Sequence, residues 1–156
     1  MNNNIKYMKA ALKEAQKAYD KGEVPIGCVI VYNDKIIARA HNKRETLESS
    51  LAHAEILAIE KASKKLNSWR LEDCTMYITL EPCIMCSGAI IQSRIPRVIY
   101  GALDYRFGTH KSITNVFDIK FNHTVDISGG VMEEECSRII TQFFKELRSA
   151  NSINKI

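Results

Sequence analysis

Thr75-Met76-Tyr77-Ile78-Thr79-Leu80-Glu81-Pro82-Cys83-Ile84-Met85-Cys86 is the stretch whose reading decides the fold. Its first six residues are β-branched, aromatic or aliphatic, the pattern of a buried strand. That strand delivers Glu81, Pro82 and Cys83 at its end. Proline is tolerated at a helix start, where its missing N–H would have had no partner. Cys83 to Gln92 then reads as a helix, with Cys83 and Cys86 three apart on one face of its first turn. The positive end of the helix dipole favours thiolate over thiol there.

Working outward, strand and helix patterns alternate. Ile5, Met8, Leu12, Ala15 and Tyr19 recur at helical spacing, and Gly22 closes that helix. Ile26 to Tyr32 and Lys35 to Ala40, joined by Asn33-Asp34, read as a β-hairpin. Ala54 to Leu66 reads as a helix. Arg97 to Gly101 is a further strand, Val125 to Ile127 a short candidate strand, and Glu133 to Arg148 a last helix. Such alternation predicts an α/β layered fold in one domain spanning 1–156, with a flexible tail over 149–156. Four strands are clear; the region from Tyr105 to Asn122 has no readable pattern.

The chemistry gathers in two motifs, His53-Ala54-Glu55 and Pro82-Cys83-Ile84-Met85-Cys86. Two thiolates and one imidazole fill three tetrahedral positions on zinc and leave the fourth open to a water, which the metal makes acidic enough to act at neutral pH. Glu55 is then a carboxylate not needed as a ligand and able to move protons. Because His53 and Glu55 are two apart, they cannot stack on one helix face, so one can hold metal while the other faces the substrate. A C-x-x-C pair is also compatible with a redox dithiol or half of a structural zinc site. The first gives His53 and Glu55 no role. The second usually wants a second paired motif, and the chain has none.

Composition sets outer limits. The chain has 156 residues, 46% of them hydrophobic and 26% charged, which suits one globular domain with a proper core. The first twenty residues are polar and charged, so no secretory signal is expected, and no apolar run reaches membrane-spanning length. Cys28, Cys74 and Cys136 read as small buried hydrophobes in a reducing, cytoplasmic compartment. The net charge of +4 is mild. A basic face for a polyanion would draw on Arg94, Arg97, Arg106, Lys111, Lys145 and Arg148.

H-x-E followed by P-C-x-x-C is the signature of the zinc-dependent nucleobase deaminases, the cytidine/deoxycytidylate deaminase superfamily. From Ile5 to Arg148 the chain resembles the bacterial tRNA-specific adenosine deaminases in particular. The resemblance rests on Gly22-Glu23-Val24-Pro25-Ile26-Gly27, Ala40-His41-Asn42, Ala52-His53-Ala54-Glu55, Ser68-Trp69-Arg70-Leu71, Thr79-Leu80-Glu81-Pro82-Cys83, Ser93-Arg94-Ile95-Pro96, Phe121-Asn122-His123 and Phe143-Phe144. It implies a three-layer α/β/α sandwich with a five-stranded mixed sheet, cytidine deaminase-like. It also implies one Zn2+ per chain on His53, Cys83 and Cys86 at two helix N-termini, with Glu55 as proton shuttle. The reaction implied is hydrolytic deamination of adenosine to inosine at wobble position 34 of a tRNA, presented as an anticodon stem-loop to a homodimer.

The resemblance assigns further residues. Asn42 reads the base edge, a role its paired donor and acceptor suit, although an asparagine after a hairpin can equally form a turn. Val24 and Ile26 line the base pocket. Asp104 and Arg106 lie by the substrate strand, Phe144 meets the RNA, and Arg148 reaches phosphate. Phe143 and Phe144 are adjacent, so one faces the core. Glu81 reads as a structural carboxylate capping a turn. One loop departs from the family pattern: Thr109-His110-Lys111 stands where small residues are usual, and His110 reads as a phosphate contact or as part of a solvated loop. Two rivals share the metal motif: a deaminase of free guanine- or cytosine-type bases or nucleosides, and a non-catalytic zinc-binding module. The apolar positions Ile84, Ala89, Ile90 and Ile91 are candidates for the dimer interface or for the protein's own core.

Overall fold

In the computed structural model, which describes residues 3–153, the chain runs α1 (Asn4–Asp20), β1 (Gly27–Tyr32), β2 (Lys35–His41), α2 (Ala54–Leu66), β3 (Cys74–Leu80), α3 (Ile84–Gln92), β4 (Arg97–Ala102), β5 (Asp126–Ser128) and α4 (Glu133–Ile153). A single 3-10 turn, Val116–Asp118, lies in the stretch that carried no pattern. The strands form one mixed sheet in the order β2-β1-β3-β4-β5. β1 is antiparallel to β2 and β3, while β4 is parallel to β3 and β5. The expected five-stranded sandwich is therefore present, and the uncertain fifth strand falls one residue later than the sequence placed it.

Local chemistry explains the joints. Asn33 and Asp34 both adopt positive φ, 50° and 61°, the mirror-image turn whose twist suits a two-residue hairpin. Gly22, at φ 76°, ends α1 by donating its N–H to the Tyr19 carbonyl. At Gly27 a Cβ would lie 1.9 Å from the Ala11 carbonyl oxygen, so α1 crosses the start of β1 with no room for a side chain. In β2 the register slips so that Ile37 bulges out, and Lys61 of α2 donates to the Arg39 carbonyl of this edge strand at 2.7 Å.

The core lies on both faces of the sheet, and strand residues alternate between them. Cys28, Ile30, Met76, Ile78, Val98 and Tyr100 pack under α2 and α3, against Ala54, Ala58, Ala62 and Ile90. Val29, Val31, Tyr77 and Ile99 pack under α1 and α4, against Tyr7, Met8, Ala11 and Cys136. Burial on both faces is why the central strands read as continuous apolar runs. Truncating Ile30 or Ile78 to Ala, both fully buried, costs about 2–5 kcal/mol. Cys28, Cys74 and Cys136 are free and buried, as expected. Burial pushes the Cys74 thiol up to about 11 and the Cys136 thiol up to about 12.

Two expectations are resolved by the structure. The last helix does not stop at Arg148: residues 149–153 continue it, and 154–156 of the expected tail lie outside the described residues. Ile90 and Ile91, offered either for an interface or for the chain's own core, belong to the core; Ile84 is the exposed member of that set, at 68%. Among the described residues, no helix is long and apolar enough to cross a membrane.

Candidate active site

Helices α2 and α3 begin at the same end of the sheet, beside the carboxyl end of β3. His53 is the N-cap of α2 and Cys83 the N-cap of α3, both with extended backbone. The sequence placed Cys83 inside the helix; as N-cap it is still one turn from Cys86. Neither cap side chain bonds its own helix end. Instead they meet. His53 Nδ1 lies 3.6 Å from Cys83 Sγ and 3.5 Å from Cys86 Sγ. One donor atom from each residue falls within 4.8 Å of the other two. The Cys86 side chain is the main influence holding the Cys83 thiol down at about 4, and His53 adds to it; Cys86 itself is raised well above its ordinary range. Contact with Cys83 raises the His53 pKa. Two sulfurs and one imidazole nitrogen converging on one point are the donor chemistry of a zinc site with a position left over.

Glu55 sits in the first turn of α2, buried with 5% exposure. Burial pushes its carboxyl up to about 7, and the Cys83 charge adds to the rise. A carboxyl held near neutrality can both accept and donate a proton, as general acid–base work requires.

The segments beside the donor cluster are tied together by hydrogen bonds. Asn42, 5% exposed, donates from Nδ2 to the Val24 carbonyl at 3.2 Å and accepts at Oδ1 from the Arg44 N–H at 3.1 Å. Its own N–H reaches the Ile26 carbonyl, and the next residue, Lys43, donates to Ala52 beside His53. Asn42 forms the turn expected after the hairpin, and that turn ties 24–26 to the segment that leads into His53. Val24 and Ile26 are half-buried. Glu23, quoted only as part of a segment, is 1% exposed and accepts from the Glu45 and Thr46 N–H groups at 3.0 and 2.7 Å. Nothing local in the sequence signals that clamp. His41 ends β2, 6% exposed, with Nδ1 3.7 Å from Glu14 Oε1.

Glu81 organises the loop that departs from the family pattern. Its Oε2 accepts from the N–H groups of His110, Lys111 and Ser112 at 2.9, 2.8 and 3.1 Å. Its Oε1 accepts from Asp104 N–H and from the Ser112 hydroxyl. Burial alone would raise this carboxyl, but these bonds outweigh it and hold it near 2. It is the structural carboxylate expected. Thr109 adds a second tie: both its N–H and its hydroxyl meet the Pro82 carbonyl, and it shares a 2.8 Å bond with Ser87. His110 is half-buried rather than part of a fully solvated loop. Its ring packs edge-on to Tyr100 and Phe117, with Nδ1 2.7 Å from the Tyr100 hydroxyl.

The model of the MafB19-like deaminases matches residues 2–148. A tRNA-specific adenosine deaminase of Bacillus subtilis strain 168 is 53% identical over 143 residues, covering 91% of this chain and 89% of the relative. The chain belongs to the MafB19-like deaminase family. A solved tRNA:A34 deaminase, studied for A-to-I editing at the wobble position, superposes with TM-score 0.83 at 40% identity, over 86% of this chain and 98% of its own. A guanine deaminase from Bacillus subtilis shares the fold at lower identity, 30%, with TM-score 0.62 over 78% of this chain and 88% of its own.

The remaining residues assigned by resemblance sit on the turn after β4 and on α4. Asp104 Oδ1 accepts from the Arg106 and Phe107 N–H groups, so one carboxylate oxygen shapes its own turn. Arg106 is exposed. On α4, Phe143 is the core member of the aromatic pair, edge-on to Tyr19 at 5.7 Å, and Phe144 is half-buried against it. A bond to Glu146 raises the Tyr19 hydroxyl to about 12, and Arg148, two residues further along α4, is exposed. Arg94 and Arg97 do not join a basic face at the site. They lie beyond the far end of α3 and at the start of β4, where Arg94 caps the Ile91 carbonyl and stacks on Trp69.

Proposed function

We propose that this protein is a zinc-dependent tRNA adenosine deaminase, converting adenosine 34 of an anticodon to inosine with release of ammonia. The observation that carries the reading is the buried Glu55 beside the three-donor cluster, in a chain 53% identical to a tRNA-specific adenosine deaminase over nine-tenths of its length. His53, Cys83 and Cys86 would hold one zinc per chain. When bound, it would supply a water acidic enough to attack at neutral pH. Glu55 would accept a proton from the attacking water and pass it to the purine ring nitrogen, then take the second proton from the newly added hydroxyl and pass it to the departing amine, which leaves as ammonia.

The other residues bind and orient. Asn42 has one hydrogen-bond partner on each amide atom, and each atom has capacity for a second, so the same side chain can hold the rim and read the base edge. Val24 and Ile26 supply apolar walls to the base pocket. Arg106 and Arg148 meet phosphate, while Phe144 and Asp104 lie against the anticodon loop. The enzyme works in the cytoplasm as a homodimer, for which the exposed Ile84 and Leu51, each next to or near a metal donor, offer apolar surface.

The test is deamination of a short anticodon stem-loop with adenine at the wobble position, read as inosine by sequencing. Wild type and Glu55→Ala run in parallel, with guanine, cytosine and free adenosine as competitors. Inosine at that position alone, absent in the variant, is the expected result. Ammonia from a free base without inosine in the RNA would overturn the substrate; silence on every substrate from metal-loaded protein would overturn the reaction.

A further inference from the structure

We propose that Tyr105 and Phe107 form a stacking platform for the unpaired nucleotides flanking the target base, held rigid beside the metal-donor turn by Glu81. The proposal rests on the RNA-deaminase reading above and names a part of its recognition surface.

Tyr105 is 77% exposed and Phe107 67%, in a chain whose other aromatic residues mostly reach the core or a neighbour. On a loose loop that exposure would mean little. This turn is tied at Asp104, Arg106, Phe107 and Gly108. Gly108 donates to the Asp104 carbonyl at 2.8 Å, and Asp104 Oδ1 takes the N–H groups of Arg106 and Phe107. On either side, Glu81 gathers the backbone at 104 and at 110–112, and Thr109 grips the Pro82 carbonyl. Glu81 and Pro82 directly precede Cys83, so the platform is tied to the catalytic motif through two residues of chain.

The surface chemistry selects the occupant. Arg106 stands between the two aromatic residues in sequence and is exposed, Lys111 follows on the same loop, and one oxygen of the nearby Asp104 carboxylate is engaged in the turn. Aromatic faces alternating with cations fit splayed single-stranded nucleotides, whose bases stack and whose phosphates pair with the cations. Because every base offers a π-face, the platform adds affinity at flanking positions without choosing their identity.

The experiment uses metal-loaded full-length protein and a labelled anticodon stem-loop. Binding is followed by fluorescence anisotropy, deamination by inosine sequencing, and assembly by sedimentation. Tyr105→Ala and Phe107→Ala are each expected to raise Kd and KM roughly ten-fold, with the loss in KM rather than kcat. Tyr105→Leu and Phe107→Leu keep apolar area without a π-face and are expected to bind as weakly as the alanine variants. Sedimentation stays as in wild type. Removing a flanking base from the RNA weakens wild type and leaves the double alanine variant unaffected. An unchanged Kd in both alanine variants overturns the proposal. So does wild-type binding by the leucine variants with altered sedimentation of the alanine ones, which would assign the face to a second copy. If wild type binds the RNA but makes no inosine, the deaminase reading falls, and anisotropy still decides the platform.

Discussion

A Cβ added at Gly108 would lie 2.3 Å from the carboxyl carbon of Glu81 and 2.4 and 2.5 Å from its two oxygens. The backbone at 108 therefore rests directly on the carboxylate that gathers the loop. That carboxylate cannot step aside, because five donors hold it.

Gly108→Ala should accordingly displace the loop rather than be absorbed. The overpacking cost is about 1–3 kcal/mol, a drop of roughly 2–12 °C in Tm for a domain of this size. Deamination of the stem-loop should fall with it, chiefly through KM. A variant that melts and binds RNA like wild type would show that the loop yields freely.

Glu23 gives a pH prediction. Burial opposes its ionisation, but the N–H groups of Thr46 and Glu45 and the Arg44 charge together lower its pKa below the ordinary 4.5. A carboxyl depressed in the folded state contributes stability above its unfolded pKa and loses it as pH falls through the folded one. Wild type should be more stable than Glu23→Gln near neutral pH, and the gap should shrink progressively below about pH 4.5. Urea midpoints of the two proteins across pH 3 to 7 measure this; a gap that stays constant with pH would remove Glu23's charge as the cause.

Asn42→Ala leaves the Val24 carbonyl and the Arg44 N–H without their partner in a buried position, a cost of about 1–3 kcal/mol. Asn42→Asp keeps the acceptor toward Arg44 but loses the donor toward Val24. If Asn42 also reads the base, both variants should lose far more kcat/KM than their change in Tm accounts for. Equal and small losses in both quantities would leave Asn42 as a turn former only.

Metal removal should separate ligands from the proton shuttle. Elemental analysis should find one zinc per chain in wild type and in Glu55→Gln, and much less in Cys83→Ala or Cys86→Ala. A chelator should silence wild type, and added zinc should restore it. Glu55→Gln should stay inactive though loaded. Full zinc occupancy in both cysteine variants would mean that the cluster is not the site.

The periodic parts of this fold were legible because their causes are local. Thr75 to Leu80 had to be buried on both faces, Asn33-Asp34 turn because both tolerate positive φ, and Gly22 stops a helix. The donor cluster was legible for another reason: His53, Cys83 and Cys86 are scarce residue types at motif spacing. The stretch from 104 to 122 was not legible, because no periodicity holds it. It is held by Glu81, whose partners lie 23 to 31 residues away. His110 could not be placed for the same reason: its partner, Tyr100, is a strand residue whose hydroxyl happens to emerge there. Arg94 and Arg97 looked like part of a basic cluster because charge counts ignore which end of an element a residue occupies.

The two borders of the sheet carry a consequence for self-association. β5 contributes three residues, and β2 is bent by the bulge at Ile37, carries exposed Lys35 and Arg39, and has one outward carbonyl stopped by Lys61. Neither border presents a long flat row of open N–H and C=O groups, the template on which foreign strands add and fibrils grow. Assembly of this protein must then run through helices and loops, where side chains set the register, and strand-by-strand growth is closed to it.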